Sequence, residues 1–237
     1  MPGARWFGLV GGLAAVGVGG AAVYRFLLRP WLIRWGATDE EVARTMPGDE
    51  VLPAPRYSST HAISIQAGPE HIWPWLVQLG WGRAGFYSYE WLEALIGLDV
   101  TNSERILPEF QHLESGDEIP AGPGVSFRVR TVEPGRFLVL GPGPGQPVGP
   151  STITWAMGIY PRGDGSSRLV LRMRYDFTWK PGDPLFMLFF EPGHFVLERK
   201  MLRTLRRRAE ALARQQRTRA PVSTPPPVPE FEPQGLL

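Results

Sequence analysis

SRLVLRMRYDFTW, residues 167–179, is the clearest strand signal in this 237-residue chain. Apolar side chains occupy alternate positions, namely Leu169, Leu171, Met173, Tyr175, Phe177 and Trp179. Arg172, Arg174 and Asp176 lie between them and point the opposite way. A period of two is typical of an antiparallel strand with one face in a core and the other in water. The stretch therefore predicts a two-faced strand whose arginine side lies in solvent.

Three segments before this stretch also show strand patterns. They are VSFRVR at 125–130, FLVL at 137–140 and ITWAMGI at 153–159. Pro134-Gly135 and Gly163-Asp164-Gly165 provide turns between strands. The second half of the chain is therefore expected to form an antiparallel sheet.

Helical patterns surround these strands. Upstream, Ile63 and Ile65 mark one more strand, and helices are expected from the turn at Gly68-Pro69 to Leu79 and again before Gly97. After Pro184, apolar residues at helical spacing predict a long amphipathic helix. They are Leu202, Leu205, Ala209 and Leu212. Gly193 is expected to interrupt the start of this helix, and the whole order predicts an α+β fold.

The composition excludes several kinds of site. The chain has no cysteine, which excludes disulfides, thiolate metal sites and cysteine nucleophiles. The net charge of +2 argues against general nucleic-acid binding, so no nucleic-acid partner is expected. A hydrophobic fraction of 43% is sufficient for a sizeable core, and the length suits one domain with extensions.

The N-terminal WFGLVGGLAAVGVGGAAVY, residues 6–24, contains no charged residue. Its length is close to a bilayer span. More arginine follows this segment than precedes it, so the positive-inside rule places the following domain in the cytoplasm. We expect a retained transmembrane helix and a single-pass membrane protein. A secreted protein after signal cleavage is the main alternative, and a buried helix is a lesser one.

The chain divides into four segments on these patterns. They are an N-terminal transmembrane anchor at 1–29, a juxtamembrane helix and linker at 30–55, a globular domain at 56–216 and a disordered proline-rich tail at 217–237. Thr38 and Glu41 are placed to open the juxtamembrane helix as a capping box.

Gly80, Gly82 and Gly85 match the bare dinucleotide pattern G-x-G-x-x-G. That pattern holds a pyrophosphate only between a strand and the N-terminus of a helix. Here a helix precedes the glycines, so we expect a helix-to-helix turn that does not bind nucleotide.

Residues 109–112 and 191–194 each match E-x-x-H, a pattern that ligates iron in some four-helix bundles. The first match lies in a loop-like segment and the second contains Pro-Gly, so we expect no metal site and no cofactor. His61 and His71 have no evident partners and are expected at the surface or at helix caps.

Aromatic residues are dense between Trp73 and Trp91. Buried tyrosines and tryptophans need partners for their O–H and N–H groups, so such a cluster often lines a cavity with a few directed polar contacts. A large, filled core is the alternative interpretation.

Several longer phrases together resemble one family. They are RPWLIRWGAT at 29–38, MPGDE at 46–50, HIWPWLVQLGWGRAGFYSYEWLE at 71–93, ILPEFQHLESGDEI at 106–119 and EPGHFVLERKMLRTLRRRAE at 191–210. They resemble an uncharacterised membrane-associated branch of the SRPBCC superfamily, which includes START, Bet v 1-like and polyketide cyclase/dehydrase-like proteins. The resemblance covers about residues 30–215. It implies a helix-grip fold, in which a curved antiparallel sheet wraps a long C-terminal helix around a cavity for an apolar or amphipathic molecule.

The resulting prediction is a membrane-tethered binding protein, a carrier or sensor for a small hydrophobic or amphipathic ligand or lipid. The predicted cavity wall consists of Trp75, Tyr87, Tyr89, Trp91, Trp155 and Trp179. The predicted polar contacts at its mouth are Gln78, Arg83 and Glu109.

A cofactorless polyketide cyclase or lyase is the alternative. In that hypothesis a buried Glu109 acts as general base, while Arg83 or a tyrosine stabilises an enolate. No acid-base pair is evident in the sequence, which favours binding over catalysis. The fold alone does not decide between the two.

Cationic residues are concentrated towards the C-terminus. Arg203, Arg206 and Arg207 on the long helix are expected to face anionic lipid headgroups, and a solvated helix face is the alternative. The oligomeric state stays open.

Overall fold

The computed structural model describes residues 19–20, 22–143, 148, 151–178, 180 and 183–219. Its strands are β1 (Tyr57–Ile65), β2 (Glu118–Gly122), β3 (Val125–Glu133), β4 (Phe137–Gly141), β5 (Thr152–Pro161) and β6 (Ser167–Asp176). Its α-helices are α1 (Arg29–Ile33), α2 (Asp39–Ala43), α3 (Pro69–Val77), α4 (Glu90–Leu95) and α5 (Asp183–Arg219). A π-helical turn at Tyr24–Leu28 precedes α1, and a 3-10 turn at Pro108–Phe110 precedes β2.

The six strands form one antiparallel sheet in the order β1-β6-β5-β4-β3-β2. β6 lies between β1 and β5, so Met173 is opposite Ser59 on one side and Trp155 on the other. The α+β class and the strands predicted at β1 and β3 to β6 are confirmed. β2 was not predicted, because its sequence EIPAG has no alternation of apolar and polar residues.

The long helix α5 packs on the inner face of this sheet. It buries Leu202, Leu205 and Ala209 in the main hydrophobic core. The predicted amphipathic helix is therefore confirmed, and an antiparallel sheet with a long C-terminal helix is compatible with a helix-grip fold. The expected interruption at Gly193 is wrong, since α5 continues through Pro192 and Gly193.

Contacts with the N-terminal segment accompany this unbroken part of α5. Arg29 donates hydrogen bonds to both carboxylate oxygens of Glu191, at 2.8 Å for the shortest, and Tyr24 donates to the same carboxylate at 2.9 Å. Trp31 packs on Phe195, with 5.0 Å between ring centroids. Tertiary contacts of this kind outweigh the low helix propensity of a Pro-Gly pair.

The expectation of a single-pass membrane protein with a cytoplasmic domain is wrong by this structure. Among the described residues, no helix combines the length and the apolar character needed to cross a bilayer. Residues 1–18 and 21, which hold most of the expected span, lie outside the described part. Tyr24, the last residue of the expected span, is described, and its hydroxyl donates a hydrogen bond to Glu191 of the folded domain.

The outer face of the sheet is covered by the segment predicted as juxtamembrane helix and linker. Met46 joins Ala62, Val139, Ala156 and Val170 in a second, smaller apolar cluster. The capping box of this segment is confirmed, because Thr38 and Glu41 bond reciprocally at the start of α2.

Arg172 is the polar centre of this outer face. Its guanidinium donates to Thr60 Oγ1 at 3.1 Å, to Asp49 Oδ2 at 2.6 Å and to three backbone carbonyls. Arg174 makes an ion pair with the same Asp49 at 2.8 Å. The expectation that the arginine side of β6 lies in solvent is therefore wrong for Arg172, which is buried. We call Arg172, Asp49 and their hydrogen-bond partners the outer cluster.

The glycine-rich turn after α3 has the structure that the sequence predicts. Gly80 and Gly85 exchange two backbone hydrogen bonds, of 3.1 and 3.0 Å, and close a short loop. Gly80, Gly82 and Gly85 have φ angles of 133, 68 and 75 degrees, which residues with a side chain rarely adopt. The Ile119 side chain also lies 2.9 Å from where a Cβ of Gly80 would be. The glycines are thus explained by backbone geometry.

Candidate functional site

A cavity of about 250 Å³ lies between α5, the inner face of the sheet and the segment around α4. Its lining is mainly apolar and comprises Phe86, Leu98, Ala121, Phe127, Ile153, Trp155, Met173, Phe190, Leu197 and Met201. Four polar residues complete the lining that the structure describes, namely Ser88, Glu93, His194 and Glu198. Protein interiors are close-packed, so a void of this size beside the core is a candidate ligand site.

Glu198 is a buried carboxylate on the α5 side of the cavity. Trp155 donates its indole N–H to Glu198 Oε1 at 2.8 Å. His61, from β1, contacts the other oxygen through Nδ1. The His61 Nε2 atom lies 2.7 Å from the carbonyl oxygen of Leu32, which can only accept. Both ring nitrogens of His61 therefore face acceptors, and an imidazolium satisfies both.

His61 and Glu198 shift each other's pKa. Burial alone would lower the pKa of His61, but the Glu198 carboxylate and the Leu32 carbonyl outweigh burial and raise that pKa. Burial would likewise raise the pKa of Glu198, but the charge of His61 and the hydrogen bonds from His61 and Trp155 hold it below its usual value. A buried ion pair between His61 and Glu198 follows.

His194 stands one turn before Glu198 on the same face of α5. Burial lowers the pKa of His194, so its ring is neutral. Its Nδ1 lies 3.2 Å from the Tyr57 hydroxyl, and its Nε2 lies 3.7 Å from Glu198 Oε1. The carboxylate favours a proton on Nε2, so Tyr57 donates to Nδ1. The Nε2 atom is buried and has no hydrogen-bond partner among the described residues.

Glu93 enters the cavity from α4. It is 2% exposed, and its Oε2 atom has no hydrogen-bond partner among the described residues. Burial raises the pKa of Glu93 to about 7, with a further contribution from the Glu90 carboxylate and an opposing one from the Ser88 hydroxyl. A carboxyl group that titrates near neutral pH thus lines the cavity. We call Glu93, His194, Glu198 and His61 the inner cluster.

Of the predicted wall residues, Trp155 lines this cavity. Trp75, Gln78 and Tyr87 instead form a packed polar network beside it. Gln78 donates to the Tyr87 hydroxyl at 2.8 Å and accepts from the Leu107 backbone N–H at 2.9 Å, and Tyr87 donates to the Trp75 carbonyl at 3.0 Å. Arg208 covers the Tyr87 ring at 4.6 Å. These side chains are held by one another.

The other predicted site residues lie away from the cavity. Arg83 donates to the Val77 carbonyl at 2.8 Å and stacks on the Phe110 ring. Tyr89 and Trp91 are exposed.

Glu109 and Trp179 remain from the predicted set. Glu109 is exposed on the 3-10 turn, so the enzymatic hypothesis loses the burial that it required of this residue. Trp179 lies outside the described residues.

Sequence reasoning missed Glu93, His194 and Glu198, and it placed His61 wrongly. His61 is fully buried, because β1 carries it onto the inner face beside α5. One signal was available: Glu198 falls four residues before Leu202, on the apolar stripe of the amphipathic helix. An acidic residue on such a stripe indicates a buried partner.

Arg203, Arg206 and Arg207 are exposed on α5. They line a broad surface groove of about 860 Å³ together with Trp35 and Lys200. The Arg203 guanidinium lies 5.7 Å from the centre of the Trp35 ring. Their contact with lipid headgroups stays a prediction. Within the described ranges, no group of three or more histidine, aspartate or glutamate residues is placed to hold a metal ion.

No protein-family model matches this chain, and no curated protein matches it. Among solved structures, a protein from Nitrosomonas europaea is 15% identical over 72% of this chain and 99% of its own, with a TM-score of 0.41. A protein from Thermobifida fusca is 14% identical over 66% of this chain and 93% of its own, with a TM-score of 0.39. A protein from Mesorhizobium loti is 17% identical over 64% of this chain and 98% of its own, with a TM-score of 0.37. The cavity itself therefore has to support any functional proposal.

Proposed function

We propose that this chain is a binding protein, a carrier or sensor, for a small hydrophobic or amphipathic molecule held in the cavity between the sheet and α5. The observation that supports it is the cavity of about 250 Å³, with its mainly apolar wall and a few buried polar atoms. Such a wall with convergent polar groups is the usual form of a small-molecule site.

We also infer that the chain belongs to the SRPBCC superfamily. The resemblance of its sequence phrases supports this, together with the observed order of β1, two short helices, five further strands and one long C-terminal helix. The superfamily's apolar cavity is in keeping with the proposed binding role.

Native mass spectrometry of the full chain, compared with its denatured mass, tests the binding proposal. We expect a bound small molecule in the purified protein. Ala121→Leu, which adds three carbons to the cavity wall, should remove most of that bound mass. Ala94→Leu, on the exposed face of α4, is the matched control and should retain it. A protein that carries nothing and takes up no apolar probe would contradict the proposal.

One observation favours the second candidate, a cofactorless cyclase or lyase. Glu93 combines burial in an apolar cavity with a pKa of about 7, which suits a general base near neutral pH. The neutral His194 faces the same cavity and could donate a proton or a hydrogen bond to a developing oxyanion. If the chain is an enzyme, Glu93→Gln should abolish turnover while the bound mass persists.

A further inference from the structure

The lining of the cavity also indicates which polar group its ligand carries, an inference that rests on the proposed binding function. We propose that the ligand is an apolar molecule whose polar end donates a hydrogen bond, an alcohol or an amine, and that the cavity rejects carboxylates. Three features of the lining support this selectivity.

The first feature is the sign of the charge around the cavity. Its described lining holds two carboxyl groups, Glu93 and Glu198, and no lysine or arginine. His61 contacts Glu198, but both of its nitrogens are already engaged, by Glu198 and by the Leu32 carbonyl. An anionic ligand would thus be desolvated beside carboxylates with no free cation, which is costly in an apolar interior.

The second feature is the acceptor that Glu93 leaves unused. Its Oε2 atom is buried and has no hydrogen-bond partner within the described ranges, and a buried polar atom in that state costs about 1–3 kcal/mol. The charged or titratable groups around it are Glu90 on its own helix and His194 and Glu198 across the cavity on α5. The Ser88 hydroxyl is close enough to lower the pKa of Glu93, but its Oγ atom also has no hydrogen-bond partner among the described residues. None of these groups therefore donates a hydrogen bond to Glu93 Oε2. A hydroxyl or amine of the ligand would supply it.

The third feature is the free Nε2 position of His194. With Tyr57 donating to Nδ1, Nε2 carries the proton and can donate to a ligand oxygen or a neutral ligand nitrogen. Glu93 and His194 both line the cavity, and an alcohol hydroxyl combines the donor that Glu93 lacks with the acceptor that His194 lacks. A carboxylate could accept from His194, but it has no proton for Glu93.

Four probes with one carbon skeleton test this selectivity in the full chain. They are 2-methylnaphthalene, 2-naphthylmethanol, 2-naphthylmethylamine and 2-naphthoate, titrated by calorimetry at pH 8.5, where Glu93 is ionised. We expect the alcohol and the amine to bind at least tenfold more tightly than the carboxylate. Glu93→Gln keeps the shape and removes the charge, so it should weaken amine binding about tenfold and strengthen carboxylate binding about tenfold, ~1.4 kcal/mol each.

Glu90→Gln is the matched control, because it makes the same charge change on the same helix outside the cavity lining. It should leave all four affinities within about twofold. Equal affinities for the alcohol and the carboxylate, or unchanged amine and carboxylate affinities in Glu93→Gln, would overturn the selectivity while leaving cavity binding intact. If none of the four probes binds, including the hydrocarbon, the proposed binding function itself fails.

Discussion

The two faces of the sheet each bury charged groups, and they treat them differently. In the outer cluster, the five N–H groups of Arg172 meet five acceptors, including Asp49. In the inner cluster, His61 and Glu198 are paired, but Glu93 and His194 each have one polar atom beside the cavity with no hydrogen-bond partner in the part of the chain that the structure describes. A fully satisfied buried network stabilises one structure, whereas unsatisfied atoms beside a cavity cost stability and are available to a ligand.

The largest expected effect comes from breaking the outer cluster. Arg172→Met should lower the free energy of unfolding by about 4 kcal/mol, because it leaves three backbone carbonyls without a donor and weakens the pairing of Asp49. Urea denaturation measures this loss. Arg162→Met is the control, because Arg162 is exposed in the turn that follows β5, and it should change stability by less than ~0.5 kcal/mol. Similar losses for both variants would contradict the distinct role of the outer cluster.

A smaller loss of stability, which depends on pH, is expected when the His61–Glu198 pair of the inner cluster is broken. The pKa of His61 is raised on folding. Its contribution to the free energy of unfolding is therefore complete below the unfolded pKa of about 6.5 and is lost as the pH rises through the folded pKa. His61→Gln should therefore cost about 3 kcal/mol at pH 5.5, and this cost should fall as the pH rises through the folded value.

Chemical denaturation across this pH range, with His71→Gln as the control histidine, measures that dependence. The control removes a histidine beside Glu70 at the edge of the domain and should show a small loss at either pH. A His61→Gln loss that grows with pH would mean that His61 is neutral in the folded protein.

Replacing Glu93, which is unpaired in the inner cluster, should have the smallest effect on stability, and this effect is a gain. The pKa of Glu93 is raised from 4.5 to about 7, so the cost of burying its charge grows as the pH rises between these values and is complete above them. Glu93→Gln should raise the free energy of unfolding by about 2 kcal/mol at pH 8.5 and by little at pH 4.5. Thermal unfolding at both pH values checks this, and a destabilised variant at pH 8.5 would show that the carboxylate has a partner.

Local patterns predicted much of the architecture. The alternation in 167–176 predicted β6, the helical spacing of Leu202, Leu205 and Ala209 predicted α5, and Gly80 with Gly85 predicted the turn. Each of these signals is a relation between residues close in sequence, where the period of the backbone decides which side chains share a face.

The site was harder to predict, because its partners are distant in sequence. His61 and Glu198 are 137 residues apart, and Trp155 lies 43 residues from Glu198. The density of aromatic residues predicted Tyr89 and Trp91 as cavity wall, but both are exposed. The cavity lies where Glu93 and α5 meet the sheet. Only the pairing of β1 with β6 and the path of α5 bring these groups together.

The sequence by itself therefore determined β1 and β3 to β6, their alternating pattern and the buried stripe of α5, since these follow from local periodicity. The tertiary structure alone decided that Arg172 is buried under residues 41–49, that His61 meets Glu198 and that a cavity remains beside Glu93. Burial and pairing depend on which distant segments meet, and one strand's period carries no information about what covers its other face.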